Sequence, residues 1–336
     1  MDARMLTPLP TADARWAVEQ ACRAPSLHNT QPWRFEWNGF AFDLYADTTR
    51  GLTASDPDGR ELVISCGAAL YNLRLALRKL GYDAHVTLLP SHAQRRLLAR
   101  VAATEGAPAS PAERRAYAGL SRRHTHRSAF EDRPLETGLA VLLQRAAEEE
   151  HADLVYVNDP GQRRRVLQLA RAAERALSAH DGVQTELLWW TPSPGTARRD
   201  GIPATAYAAD VVTPADDLPA RDFDQGRGIG RLEGGEQPPG AIAVLTSRRD
   251  LEVDWLQAGQ AMERVLITAA EQWAFAAVHS QVVEVPDLRG ELRRELCTSG
   301  YPQMLMRFGY APTSQLTPRR PVDEVLTVRE EKAHVH

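Results

Sequence analysis

"SCGAALYNLRLALRKLGYDAHV" (residues 65–86) and "QAGQAMERVLITAAEQWAFAAV" (residues 257–278) decide how this chain folds. Each is a long apolar helical pattern with small residues near its start, followed by a short strand pattern. Gly67 aligns with Gly259. Upstream, "TPLPTADARWAVEQACRA" (residues 7–24) resembles "RPLETGLAVLLQRAAEEE" (residues 133–150), with Pro8 on Pro134. The two pairs occur in the same order, so the chain reads as two copies of one unit. A fused pair should pack about a pseudo-two-fold axis, as a homodimer would, with the two glycine-bearing helices as its seam.

The elements around these segments complete an α+β pattern. Residues 11–24 read as an amphipathic helix with Thr11 as N-cap and Pro25 as its stop. "WRFEWNGFAFDLYAD" (residues 33–47) alternates about Asn38-Gly39, the signature of a type I′ hairpin. A helix spans 59–80, and strands follow at 83–90 and 96–104. Beyond them come helices at 112–120, 136–149 and 161–180, with a strand at 153–157. Strand "AIAVLTS" (residues 241–247), the helix over 254–273, a strand or loop over 275–283, a helix over 286–296 and a strand over 303–311 close the chain. Helices and strands mix without βαβ alternation, which predicts an α+β layer fold of two repeated α/β units forming a pseudodimer. The boundaries are 1–110 for the first half and 111–336 for the second.

From 193 to 240 the pattern dissolves into Gly, Pro and Asp. So long an irregular stretch is read as a lid or clasp, against a tolerated surface insertion. It accounts for much of what the second copy has gained. Its "GRGIG" (residues 226–230) follows no strand and is not a dinucleotide fingerprint.

With 336 residues, 43% hydrophobic and 25% charged residues and a net charge of −4, nothing points to nucleic acid or an anionic membrane. No apolar run reaches the roughly twenty residues that span a bilayer. The acidic start carries no secretory pattern. Cys22, Cys66 and Cys297 form no CxxC pair, which fits a reducing cytoplasm without disulfides or zinc. Cys22 and Cys66 read as buried small hydrophobes. His124-x-His126 has no further ligands at metal spacing, and no metal site is expected.

Two segments carry candidate chemistry. In "SRRHTHRSAF" (residues 121–130), Arg123, Thr125 and Arg127 alternate; two guanidiniums flanking a hydroxyl make an anion cradle or simply a basic solvated face. In "APSLHNTQPWRF" (residues 24–35), Ser26, His28, Asn29, Thr30 and Gln31 gather neutral polar groups after a helix end. That suits a polar, uncharged partner such as a sugar chain or a ring edge, or a plain helix end leading into the strand.

"APSLHNTQPWRF" closely resembles the "APSxxNxQPWxF" loop of the FMN-dependent nitroreductase superfamily. Arg123-x-Thr125-x-Arg127 resembles its "RxSxR" phosphate motif, 254–273 its central dimer helix, and "RFGYAPTSQLTPRRPVDEVL" (residues 307–326) its C-terminal tail. The two-copy layout is similar to the Acg-like NAD(P)H nitroreductases. The resemblance implies a cytoplasmic FMN oxidoreductase that takes electrons from NAD(P)H and passes them to a small nitroaromatic or quinone acceptor by ping-pong flavin chemistry, with no catalytic side chain. It implies one FMN per chain, built between the halves of a monomer that acts as its own dimer and is free to associate further. Arg123, Thr125 and Arg127 would meet the phosphate or the pyrimidine edge, and Arg320, helped by Arg319, would hold the phosphate. Pro25, Ser26, Leu27 and Asn29 would line the flavin, and Ser280 and Gln281 would lie near its N5. The mirror site should be dead, because the second half lacks the opening loop. A flavin-sequestering protein with a closed lid is the alternative function.

Overall fold

The computed structural model describes residues 8–128, 130–209, 217–232, 240–296, 298–311 and 316–329. Helix α1 (Thr11–Ala21) leads into the hairpin β1 (Trp33–Trp37) and β2 (Ala41–Ala46). Gly39 turns that hairpin at φ +96°, and Asn38 Oδ1 accepts from the Ala41 N–H. Thr11 is the first helical residue rather than the cap; Pro10 holds the cap position and no side chain bonds there. Helix α2 (Arg60–Lys79), β3 (Tyr82–Leu88) and β4 (Leu97–Glu105) finish the first unit.

The second unit repeats the plan. After α3 (Pro111–Arg122) come α4 (Thr137–Glu148), β5 (Ala152–Tyr156), α5 (Pro160–Ser178), α6 (Asp181–Trp189), β6 (Ala241–Ser247), α7 (Glu252–Glu271) and β7 (Ala274–Val278). Two more helices, α8 (Gln281–Glu284) and α9 (Pro286–Glu295), precede β8 (Tyr301–Tyr310). The first sheet runs β1-β2-β4-β3 and the second β5-β6-β8-β7, each with its long helix between the second and third strands in sequence. Equal strand order with equal connectivity is the repeat made visible.

The expansion of the second copy begins earlier than the sequence suggested. Where the first unit has the turn at 38–40, the second inserts everything from 157 to 240, including α5 and α6. The irregular stretch is the later part of that insertion.

The seam is the predicted one. Helices α2 and α7 cross at Gly67 and Gly259, and a Cβ on either would stand 2.0–2.2 Å from a carbonyl oxygen of the other helix. One continuous apolar core includes Phe35, Leu44 and Leu70 of the first half and Leu256, Met262 and Met306 of the second. Burial of this kind contributes about 25 cal/mol per Å² of apolar surface. The tail, through α10 (Val322–Val325), adds β9 (Leu326–Val328) parallel to β1 on the first sheet. Residues 123–127 run along the second sheet, where Thr125 bridges Ala276 of β7. No helix among the described residues is long and apolar enough to cross a membrane. Cys22 and Cys66 are buried free thiols, and Cys297 lies outside the described residues, as does "AHVH" at 333–336.

Candidate functional site

A cleft opens where the two units meet. Its volume is about 1030 Å³, open mouth included. Pro25, Ser26, Leu27 and His28 form one wall; Thr125, His126 and Arg127 form another. The floor is apolar, with Ile64 of α2, Met262 of α7 and Met304 of β8. Ser280 and Gln281 stand at one end, at the N-terminus of α8.

The opening loop reaches this position through unusual backbone. His28, Asn29 and Gln31 all sit in the left-handed region (φ +50°, +56° and +51°), which costs non-glycine residues energy. Their side chains hold it there. Asn29 Nδ2 donates to the carbonyls of Gly201 (2.9 Å) and Pro318 (3.1 Å), and Asn29 Oδ1 accepts from Arg319 (3.0 Å). Gln31 Nε2 donates to Arg199 O (2.9 Å), while Gln31 Oε1 accepts from the Arg320 N–H (2.8 Å). The polar groups read as ligand donors thus bind backbone. Asn29 lies outside the cleft wall and clamps the loop to the insertion and the tail.

The arginines divide likewise. Arg127 faces the cleft and donates one long hydrogen bond, 3.5 Å, to Thr125 O. Arg123 is buried and Arg319 half-buried, both outside the cleft lining, and both donate to Arg23 O. Arg320 grips Gln31 O and Glu324, away from the cleft, so in this geometry it fastens the loop rather than meeting a ligand. Arg123, Arg127 and Arg319 act electrostatically on one another, with Glu263 as a buried counter-charge 3.3 Å from Arg123. Burial and mutual repulsion push Arg127 down to about 10 and Arg319 to about 9. Burial also lifts Glu263 to about 7, against the pull of Arg123 and Asn72. Among the described residues, Arg123 Nη1 and Arg319 Nε have no hydrogen-bond partner, while Arg123 Nε faces Glu263. A buried cluster richer in cations than anions, with N–H groups to spare, is what a phosphate needs.

The insertion contributes to the lining of the cleft. Tyr207, Arg221 and Phe223 line it, and Phe223 packs edge-on to His28 at 6.1 Å and under Arg127 at 5.8 Å. Asp217 pairs with Arg307 beneath, and Arg221 Nη2 donates to Glu284 at 2.5 Å. His279 Nδ1–H donates to Pro219 O. At the insertion's start, Arg198 lies over Trp189 (5.2 Å) and Trp190 (5.4 Å), of which only Trp190 is buried. The "GRGIG" amides are spoken for: Asp224 accepts from the N–H groups of Gly228, Ile229 and Gly230.

Sequence reasoning missed Tyr207, Arg221 and Phe223, because irregular chain carries no periodic signal for direction, and His279 and Arg307, which it read only as parts of a strand or loop and of the last strand. His124 and His126 stack on Phe275 (4.1 Å) and Phe130 (4.6 Å).

No family model matches the chain. A Mycobacterium tuberculosis (strain H37Rv) protein named "Putative NAD(P)H nitroreductase" is 31% identical over 339 residues, which covers 98% of this chain and 95% of the relative. The chain belongs to the NAD(P)H nitroreductase family. A second relative from that organism, "Putative NAD(P)H nitroreductase acg", is 29% identical over 93% of this chain and 95% of its own length. Among solved structures, a nitroreductase with bound FMN from Desulfitobacterium hafniense is 11% identical, covers 64% of this chain and 98% of its own, and has a TM-score of 0.40. One from Bacteroides fragilis, also with bound FMN, is 10% identical at the same coverage, with a TM-score of 0.39.

Proposed function

We propose that this nitroreductase-family oxidoreductase holds one FMN in the cleft between its two units, takes electrons from NAD(P)H and reduces small nitroaromatic or quinone-like acceptors by ping-pong chemistry. The observation that carries the reading is the meeting of Arg127, the opening loop and the 280–281 end around an apolar floor, backed by buried arginine N–H groups without partners. FMN would supply reversible hydride transfer; the protein supplies binding and orientation.

Arg127 would take the phosphate, with Arg123 and Arg319 holding the positive potential behind it and Thr125 offering a hydroxyl alongside. Ile64, Met262 and Met304 would receive the flat ring. Pro25, Ser26 and Leu27 would press it from the opening loop. Arg320 and Asn29 serve the site indirectly, by fixing that loop. Ser280 and Gln281 stand at the far end, with Ser280 Oγ donating to Glu284 and Gln281 Nε2 to Glu174. Tyr207 and Phe223 would exclude water from above.

The first half ends at 110 and the second at 336 in this reading, with the monomer acting as its own dimer. One site per chain follows from the short turn between α4 and β5, which leaves the second unit no opening loop. Titrating the purified chain with FMN tests the reading. One equivalent of tightly bound flavin supports it, and a chain that ignores FMN overturns it.

A second reading takes the insertion as a roof over the cleft. Phe223 stands inside the cleft, and two buried ion pairs hold its strap down. A roof that stays shut would make the chain a flavin-holding protein with little reductase activity.

A further inference from the structure

Glu61 and Glu284 are given no flavin contact in the reading above, yet both line a second hollow beside the cleft. Glu61, in the first turn of α2, lines both. Glu284, the last residue of α8, lines the second hollow and accepts a hydrogen bond from Ser280 Oγ, a cleft residue, at 2.6 Å. The second hollow runs outward past Asp56, Asp58 and Arg289. Both carboxyls are buried, with side chains 2% and 0% exposed.

Each has one occupied oxygen and one idle one. Glu61 Oε1 accepts from Arg60 at 2.7 Å, and Glu284 Oε1 from Arg221 at 2.5 Å, while neither Oε2 atom has a hydrogen-bond partner among the described residues. The charges facing the pair are Arg60 from α2, Arg221 from the insertion and Asp56 from the turn before α2. Further out, Glu174 of α5 faces Arg221, and Asp250 and Arg289 face Arg60. His28 beside Arg221 is held neutral by burial. Burial and the neighbouring acids hold Glu61 well above the usual carboxylate range. Glu284 and Asp56 beside it favour the protonated form of Glu61, against the pull of Arg60 and Arg221.

We propose that Glu61 and Glu284 form a proton relay that feeds the cleft from the second hollow, beneath the closed roof. The proposal rests on the oxidoreductase reading of the cleft. Two-electron reduction of a quinone consumes a hydride from the reduced cofactor and one proton; the quinone becomes a hydroquinone and the cofactor is oxidised. A nitro group takes the same hydride and proton, breaks one N–O bond, and leaves as nitroso compound and water. In both cases the proton comes from Glu61, and water in the second hollow replaces it through Glu284.

Infrared spectra of the FMN-free chain at neutral pH should show a protonated carboxyl band that shifts in D₂O and disappears in Glu61→Gln. With FMN bound and reduced by dithionite, mixing with benzoquinone should reoxidise Glu61→Gln slower than wild type by roughly 10²-fold, the scale of a lost general acid. Its pH dependence should flatten, while FMN affinity stays within a small factor. Glu284→Gln should slow reoxidation as well, and serves if Glu61→Gln does not fold. A chain that binds no FMN overturns the oxidoreductase reading and the relay with it. A chain that binds FMN but shows no protonated carboxyl, or reoxidises at the wild-type rate in both variants, overturns the relay alone.

Discussion

Gly67 of α2 and Gly259 of α7 touch backbone to backbone: a Cβ on Gly67 would stand 2.9 Å from Gly259 Cα and 2.2 Å from Leu256 O. The reciprocal Cβ on Gly259 would lie 2.8 Å from Gly67 Cα and 2.0 Å from Ile64 O. Neither neighbour is a flexible side chain, so the helices themselves must part. Gly67→Ala and Gly259→Ala should each lower the unfolding free energy by about 1–3 kcal/mol, read from urea transitions. Ile64 and Ser65 of that same turn line the cleft. Flavin retention should therefore fall in both variants, although neither glycine reaches the cleft.

Arg127→Ala should weaken FMN binding by about 1.5–3 kcal/mol, the worth of a hydrogen bond to a charged group. Fluorescence titration of the FMN-free protein reads this directly. Arg320→Ala should act differently. It removes the side-chain bond to Gln31 O, though the backbone N–H bond to Gln31 Oε1 stays, and slackens a loop held in left-handed backbone, so its main effect is a lower melting temperature. Equal losses of affinity with unchanged melting in both variants would mean that both arginines meet the phosphate.

His279 gives the fold an acid-sensitive point under the roof. Burial, aided by Arg307 and Arg221, pushes it down to about 3. A base whose pKa is depressed on folding binds its proton more readily when unfolded, so its contribution is whole above about 6.5 and drains away as pH falls. The slope is about 1.4 kcal/mol per pH unit for one proton. Between pH 7 and 5, wild type should therefore lose roughly 2 kcal/mol more stability than His279→Gln. Glu263, lifted to about 7, has the opposite sign: its contribution is present at low pH and is lost as pH rises through 7. Against Glu263→Gln, wild type should weaken from pH 5 to pH 8. Urea unfolding across pH measures both.

Much of this was legible because helices and hairpins announce themselves locally. The apolar period around Gly67 and Gly259 has to be buried, and two small residues at matched places leave one way to pack. The repeat therefore showed in the sequence. The opening loop was located correctly, but the employment of its polar residues was not. Asn29 and Gln31 carry donors and acceptors that suit a ligand equally well as the carbonyls of Gly201, Pro318 and Arg199. Only the three-dimensional path of the insertion and tail decides between them. For the same reason Phe223 and Arg221 were invisible: "PARDF" has no period, and its direction is set by ion pairs to Glu284 and, through Asp217, to Arg307, both distant in sequence.

Phe223 separates the two functional readings. Deleting the insertion would be a poor test, because Ile202, Tyr207 and Leu218 are core residues and their loss would expose apolar surface. Phe223→Ala removes only the ring that stands between His28 and Arg127. The strap stays fastened by Asp217–Arg307 and Arg221–Glu284. If the roof gates nicotinamide, stopped-flow bleaching of the bound flavin by NADH or NADPH should be slow in wild type and at least roughly tenfold faster in Phe223→Ala, equivalent to about 1.4 kcal/mol of barrier. Rapid bleaching in wild type, unchanged in the variant, would show that the roof opens on its own during turnover. No bleaching in either, with flavin firmly bound, would favour the flavin-holding protein. Dithionite should reduce the flavin in both proteins, since its radical anion is small enough to pass where a dinucleotide is not, and that control ties any difference to access rather than to redox chemistry.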